Sequence, residues 1–205
     1  MNDIFGDRDW FVVDDILTEE EQNQLGEHLT NSYFPYYLSS FLTVHKEQHD
    51  KFKHLPNLKD HIQMVHGFYK VDEETNDTIP CTDDKHLEWI NLLLKKMATY
   101  LKRDSLNVIR VKANLQQQVT DNKKEYHNTP HIDEPSSKHW VCIYYVNDSD
   151  GDTLFFDNEK DCNITDSISP KKGRFLFFKG NKLHTGKHPM NTYIRLVINM
   201  DFYYE

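Results

Sequence analysis

The most regular pattern in the chain is helical. Leu87, Ile90, Leu94, Met97 and Leu101 recur at a spacing close to 3.6 residues, with polar positions between them. This predicts an amphipathic helix that starts at Asp83 or Asp84. It ends near Lys102 and Arg103, cations suited to the negative end of the helix dipole. A shorter helix is expected after Thr18. Thr18-x-x-Glu21 fits a capping box, and Leu25 and Leu29 form an apolar stripe four residues apart. Trp10–Val13, just before it, reads as a short strand.

Beyond residue 105 the period drops to 2. In Val108–Val119, Val111, Ala113 and Leu115 share one face, while Lys112, Asn114, Gln116 and Gln118 share the other. Trp140–Val146, Thr153–Phe156, Arg174–Phe178 and Tyr193–Phe202 are further runs of β-branched and aromatic residues. Turns such as Asn147-Asp-Ser-Asp-Gly151 divide them. Helices followed by strands predict an α+β protein, an antiparallel sandwich or barrel with helices over one face. Residues 33–80 are aromatic and rich in histidine but show no clear period, so strand and loop are both expected there. No Gly-, Ser- or Pro-rich linker divides the chain. One domain is expected over 1–205, with helical support and an irregular region in 1–105 and the β core in 106–205.

Charge narrows the partners. Lys and Arg total 24 against 33 Asp and Glu, a net charge of -9, which argues against nucleic acid as a partner. Lys171, Lys172, Arg174, Lys179, Lys182 and Lys187 are locally basic, either as solvated strand ends or as a rim for an anionic substrate. The three cysteines, Cys81, Cys142 and Cys162, contain no CxxC pair. An odd number without that spacing argues against a disulfide framework or a Cys-type zinc site, and a cytoplasmic setting is expected. No run approaches the roughly 18 apolar residues of a membrane span, so no membrane partner is expected.

Twelve histidines demand a criterion of spacing. His131-Ile132-Asp133 follows Pro130 where a strand can begin, and residues i and i+2 of a strand project to the same side. His184 follows the Arg174–Phe178 strand and Gly180-Asn181, and offers a third ligand. Two imidazoles and one carboxylate make the facial set that holds non-haem Fe(II) with positions left open. Zinc hydrolysis through His127/His131 or His184/His188 fails on geometry. Pro130 and Gly186 interrupt those spans, and neither has Glu in its second position. Arg195 lies within the Tyr193–Phe202 run, whose Tyr193, Arg195, Val197 and Asn199 oppose the apolar Ile194, Leu196, Ile198 and Met200. An arginine so placed can clamp a carboxylate through two parallel hydrogen bonds.

The ordered set His131-x-Asp133, His184, Arg195 resembles the Fe(II)/2-oxoglutarate-dependent dioxygenase superfamily, and more closely its prolyl 4-hydroxylase-like branch. Tyr144–Phe156 is similar to that branch's strand–turn–strand, Ser169–Phe178 to its strand before the distal histidine, and Trp10–Glu20 to its opening strand and helix. The chain has Asp150-Gly-Asp-Thr153 where the family often has Gly-Gly-Glu-Thr, and Arg195 where many prolyl hydroxylases have Lys. The resemblance implies a double-stranded β-helix, or jelly roll, with N-terminal helices against one sheet. It implies Fe(II) on His131, Asp133 and His184, and 2-oxoglutarate with its C5 carboxylate on Arg195. It leaves room for ascorbate as an accessory reductant. Asn199, Asn114, Gln116 and Tyr144 (or its neighbour Tyr145) are the further candidates for co-substrate contact. The implied reaction is hydroxylation of a protein, peptide or small-molecule substrate, with a peptidyl proline among the options, coupled to decarboxylation of 2-oxoglutarate. The polar loop 121–129 is a candidate lid. The rival is a cupin-like metal-binding module on the same barrel, which has no need of Arg195. Oligomeric state leaves no trace in the sequence.

Overall fold

A computed structural model describes residues 4–39, 46–120 and 126–204. In chain order the elements are β1 (Trp10–Val13), α1 (Glu19–Thr30), β2 (Tyr37–Ser39), α2 (Lys46–Lys51), β3 (Gln63–Val71), β4 (Thr78–Pro80) and α3 (Asp84–Tyr100). Then come β5 (Asn107–Gln117), β6 (His139–Tyr145), β7 (Thr153–Phe156), β8 (Ile164–Ile168), β9 (Phe175–Lys179), β10 (His184–Gly186) and β11 (Ile194–Tyr203). The capping box forms as its sequence requires: Glu21 N–H donates to Thr18 Oγ1 at 3.2 Å, and Thr18 N–H donates to Glu21 Oε2 at 2.8 Å. Asp83 occupies the N-cap of α3 without a side-chain capping bond.

The strands form two antiparallel sheets. The large sheet runs β1-β9-β6-β11-β5-β3-β2, with β4 on β3, and the small sheet runs β10-β7-β8. This is the jelly-roll arrangement. The division into a helical half and a β half needs correction. Residues 33–80 supply β2, β3 and β4, and β3 pairs with β5 inside the large sheet. The aromatic and β-branched residues of β3 carried no clean alternation because the strand shifts register between Gly67 and Tyr69.

Side-chain parity sorts the core into two layers. Leu25 and Leu29 of α1 and Ile90, Leu93 and Met97 of α3 pack on one face of the large sheet, against Val111, Ala113, Cys142, Tyr144, Ile198 and Met200. Val141, Ile143, Tyr145, Phe155, Leu176, Phe178 and Val197 fill the space between the sheets. β6 is buried along its whole length because it serves both layers, even-numbered residues toward the helices and odd-numbered ones toward the barrel. No helix among the described residues is long and apolar enough to cross a membrane. Cys81, Cys142 and Cys162 are free thiols.

Four of the six basic residues are engaged locally: Lys171 and Arg174 pair with Asp14, Lys179 pairs with Asp9, and Lys172 bonds Asn23.

Candidate active site and metal centre

β5 and β11 are paired so that Gln116 faces Arg195, Asn114 faces Val197, Lys112 faces Asn199 and Arg110 faces Asp201. The polar alternation of β5 therefore lies against a polar alternation of β11, on the side turned toward the small sheet. Between them is a cavity of about 170 Å³. One water needs only ~10–15 Å³ of such space. An inward polar row costs free energy unless something meets it.

His131 precedes no long strand, yet its position is fixed. It is the cross-strand partner of His184, with His131 N–H donating to His184 O and His184 N–H donating to His131 O, each at 2.9 Å. Asp133 N–H donates to Gly180 O at 2.9 Å. Gly180 lies so close to the His139 ring that a Cβ there would collide with it. These backbone bonds bring one ligand atom each of His131, Asp133 and His184 within 4.8 Å of one another. His184 Nε2 is 3.4 Å from Asp133 Oδ2, and the two imidazole centroids are 4.5 Å apart.

The ring nitrogens are already allotted. His131 Nδ1 meets Thr129 O at 3.1 Å and His184 Nδ1 meets Lys182 O at 2.9 Å. A carbonyl only accepts, so each Nδ1 carries the proton and each Nε2 lone pair is left for a cation. Burial, helped by His184, pushes His131 down to about 4, so the imidazole is held neutral. Burial raises Asp133, but His184 and His131 in their protonated forms, with Arg110, outweigh it and hold the carboxyl below its ordinary value. Two imidazoles, each with Nδ1 turned to a carbonyl and Nε2 turned to the same point as one carboxylate, fit a divalent ion of the Fe(II) class.

Arg195 lies at the other end of the cavity and is only 5% exposed. Its Nε donates to Gly151 O at 2.6 Å, Nη1 to Gln116 Oε1 at 3.1 Å and Nη2 to Thr153 Oγ1 at 3.0 Å. Thr153 in turn bonds the Tyr145 hydroxyl at 2.7 Å. Every one of these partners is neutral, and among the described residues Arg195 has no ion pair. Burial pulls the guanidinium below its ordinary range. A buried, oriented cation with no ion pair, reached by the charge of Asp152 only from beyond contact range, is suited to receive a carboxylate. Gly151 is required here, because a Cβ would stand 2.8 Å from Arg195 Cδ and 2.7 Å from Lys187 O.

The further candidates divide. Gln116 touches Arg195, and Asn114 and Asn199 line the cavity with side-chain carbonyl oxygens that lack partners. Tyr144 is corrected. It packs in the helix-side core with Phe175, and Tyr145 is the tyrosine beside Arg195, because Ile198 pairs with Tyr144 and Val197 with Tyr145. Gln118 bonds Met190 O outside the cavity, and Tyr193 precedes β11 and is exposed. Of loop 121–129, residues 121–125 lie outside the described residues. His127 and His188 spend ring nitrogens on Asn128 O and Lys59 O.

Sequence reasoning passed over Arg110 and Asp201. Arg110 Nε donates to Asp201 Oδ2 at 2.7 Å, and Nη2 reaches Asp133 Oδ1 at 3.3 Å. Extending the Lys112/Asn114/Gln116 alternation by one step finds Arg110. Finding Asp201 required the β5–β11 register.

The comparisons with known proteins agree with this geometry. Residues 116–203, which hold all four principal site residues, match the family model described as 2OG-Fe(II) oxygenase superfamily. No curated protein sequence matches the chain. Among solved structures, an oxidoreductase of the 2OG-Fe(II) oxygenase family from Burkholderia pseudomallei aligns at TM-score 0.69 and 10% identity, covering 97% of this chain and 87% of that one. A prolyl hydroxylase from Trichoplax adhaerens, in complex with a hypoxia-inducible-factor oxygen degradation domain peptide fragment, aligns at 0.56 and 13%, covering 97% and 85%. HygX from Streptomyces hygroscopicus, with nickel and 2-oxoglutarate bound, aligns at 0.55 and 9%, covering 98% and 84%. At these identities the structures establish the shared fold, and the family model matches segment 116–203.

Proposed function

We propose that this protein is an Fe(II)- and 2-oxoglutarate-dependent dioxygenase that hydroxylates an organic substrate. The observation that carries the reading is the pairing, in one cavity, of a two-His, one-Asp donor set with a buried arginine whose hydrogen-bond partners are all neutral. A cupin-like metal module explains the first feature and leaves the second without a purpose. The three free thiols support a reducing, cytoplasmic setting.

His131, Asp133 and His184 would hold the metal, and Arg195 would hold the C5 carboxylate of 2-oxoglutarate. A ferrous ion bound there would supply O₂ activation coupled to oxidative decarboxylation of 2-oxoglutarate, giving succinate, CO₂ and a hydroxylated substrate. The protein's part is placement. Thr129 O and Lys182 O fix the imidazole tautomers, and Gly180 O fixes Asp133. Gln116, Gly151 and Thr153 aim the guanidinium and leave it one face for a dicarboxylate. Val65, Val141 and Ile143 form the apolar part of the cavity wall.

The substrate is a protein or peptide side chain or a small molecule. A peptidyl proline is one option, supported by the fold shared with the Trichoplax prolyl hydroxylase. The direct test is succinate formation from 2-oxoglutarate by the Fe(II)-loaded protein. Turnover is expected in the wild type and is lost in His131→Ala and Asp133→Ala. Succinate production that survives loss of both ligands refutes the reading.

A further inference from the structure

Lys112 is a charged residue of the cavity wall that neither the metal position nor the Arg195 cradle uses. It sits on the inward face of β5, opposite Asn199 and one inward position from both Asn114 and Arg110. Among the described residues it makes no hydrogen bond and no ion pair. The nearby charges divide between repulsion from Arg110 and attraction to Asp201 and Asp133. Those two carboxylates are already held by Arg110, at 2.7 and 3.3 Å. Burial pushes the Lys112 ammonium below the ordinary lysine range, so its charge is costly where it stands.

Counting charges in the loaded site isolates this residue. Among the groups that line the cavity, a ferrous ion and Arg195 together carry three positive charges, and Asp133 with the 2-oxoglutarate dianion carries three negative ones; Asp152, whose charge reaches Arg195, does not line it. Arg110 is matched by Asp201. Lys112 is left over, and a proton on Asp201 would only enlarge the excess. A second observation concerns the same wall. The Oδ1 atoms of Asn114, which is 7% exposed, and of Asn199 are buried without a hydrogen-bond donor. 2-Oxoglutarate as a dianion has no N–H or O–H and cannot satisfy them. The wall beside the metal centre is thus short of one anion and of one or two donors after the co-substrate is in place.

Resting on the dioxygenase reading above, we propose that Lys112 seats a carboxylate of the primary substrate, while Asn114 and Asn199 accept from an N–H or O–H next to it. Two sources offer that chemistry: a free amino or hydroxy acid, and an acidic side chain within a peptide. Charge pairing of this kind discriminates strongly against neutral analogues, because a missing anion leaves a buried cation unpaired.

The test uses the whole protein loaded with Mn(II) and 2-oxoglutarate, and reads the paramagnetic relaxation of ligand protons. The probes are matched acid and amide pairs: L-lactate with L-lactamide, L-proline with L-prolinamide, and acetyl-aspartate N-methylamide with acetyl-asparagine N-methylamide. In the wild type at least one acid is expected to bind roughly tenfold more tightly than its amide, the worth of one charge-assisted hydrogen bond. The pair with the largest ratio tells free acid from peptide side chain. Lys112→Met should abolish the preference while keeping 2-oxoglutarate affinity within about twofold, and Lys112→Arg should retain the preference. Three results overturn the proposal. One is that amides bind as well as acids in every pair, or that no probe binds. Another is an acid preference that persists in Lys112→Met, which marks simple ligation of the metal. The third is a loss of 2-oxoglutarate affinity of about tenfold or more in Lys112→Met, which assigns Lys112 to the co-substrate. The 2-oxoglutarate protons are an internal control. If they are not relaxed in the wild type, the dioxygenase reading itself fails; if they are and the acids behave as amides, only the role of Lys112 falls.

Discussion

Arg110 Nη2 lies 3.3 Å from Asp133 Oδ1, while Asp133 Oδ2 lies 3.4 Å from His184 Nε2. One carboxylate oxygen is thus turned to a guanidinium and the other to the metal position. Asp201 holds the guanidinium from behind at 2.7 Å. Partners of this kind are typically worth 10–100-fold in metal affinity or activity. Arg110→Gln is expected to weaken Co(II) or Fe(II) binding by about that factor, with Arg110→Lys recovering part of it. Equilibrium dialysis measures the affinity, and the Co(II) absorption spectrum reports the coordination geometry. Unchanged affinity and spectrum in Arg110→Gln would remove Arg110 from the site.

Arg195 makes a second prediction. Replacing it with Met removes a charge-assisted bidentate pair, worth on the order of 2–3 kcal/mol, or roughly 30- to 150-fold in 2-oxoglutarate affinity. Thr153→Val leaves the charge and removes one support of its orientation, so a smaller effect is expected. Metal affinity should be untouched in both. A 2-oxoglutarate titration of the Mn(II)-loaded protein separates the two, and equal affinity in wild type and Arg195→Met contradicts the assignment.

Gly151 tests the same cradle from the backbone side. Its Cβ position lies 2.8 Å from Arg195 Cδ, closer than atoms pack, so Gly151→Ala must displace the arginine stem or the 187–189 segment. The expected result is weaker 2-oxoglutarate binding with normal metal uptake. If the variant binds both normally, the close approach has no functional weight.

Three histidines away from the active site predict a pH response. His28 of α1 and His86 of α3 share a 3.1 Å contact, and His66 of β3 bonds Pro35 O and Thr82 Oγ1. Burial lowers the pKa of all three, with their mutual repulsion adding to it for His28 and His86. The folded state therefore binds fewer protons than the unfolded state as the pH falls through the ordinary histidine value of about 6.5. The stability they contribute is complete above that pH and drains away below it, toward their lowered folded values. The melting temperature of the metal-free protein should fall between pH 7.5 and about 5, and fall less steeply in a His28→Asn/His86→Asn variant. A variant with the wild-type slope would show that the cluster is not the cause.

How much of this was legible in the chain follows from where each signal resides. Periodicity located α1, α3, β5 and β7, because each carries its whole pattern within one segment. The ligands were legible because His131 and Asp133 sit at strand spacing and the distal histidine follows a strong strand. β8 and β10 were missed. β8 is largely exposed, and β10 has only three residues, one of them a ligand and one a glycine. Tyr144 and Tyr145 could not be told apart from sequence, since a one-residue change of register exchanges their faces. Arg110–Asp201 and Arg195–Thr153 join residues 91 and 42 positions apart, and only strand pairing brings such groups together.

The reciprocal backbone pairing of His131 with His184 has one more consequence. The two imidazoles are aligned by main-chain rungs and not by independent loops, so the spacing of the nitrogen donors is inherited from the ladder. Sliding the 127–131 segment by a single residue would turn His131 to the opposite side and dismantle the chelate in one stroke. A captured cation is therefore also a pin that fastens this edge of the smaller sheet. Stripping the ion should quicken amide hydrogen exchange at His131 and His184 before it disturbs the helices on the far side of the barrel.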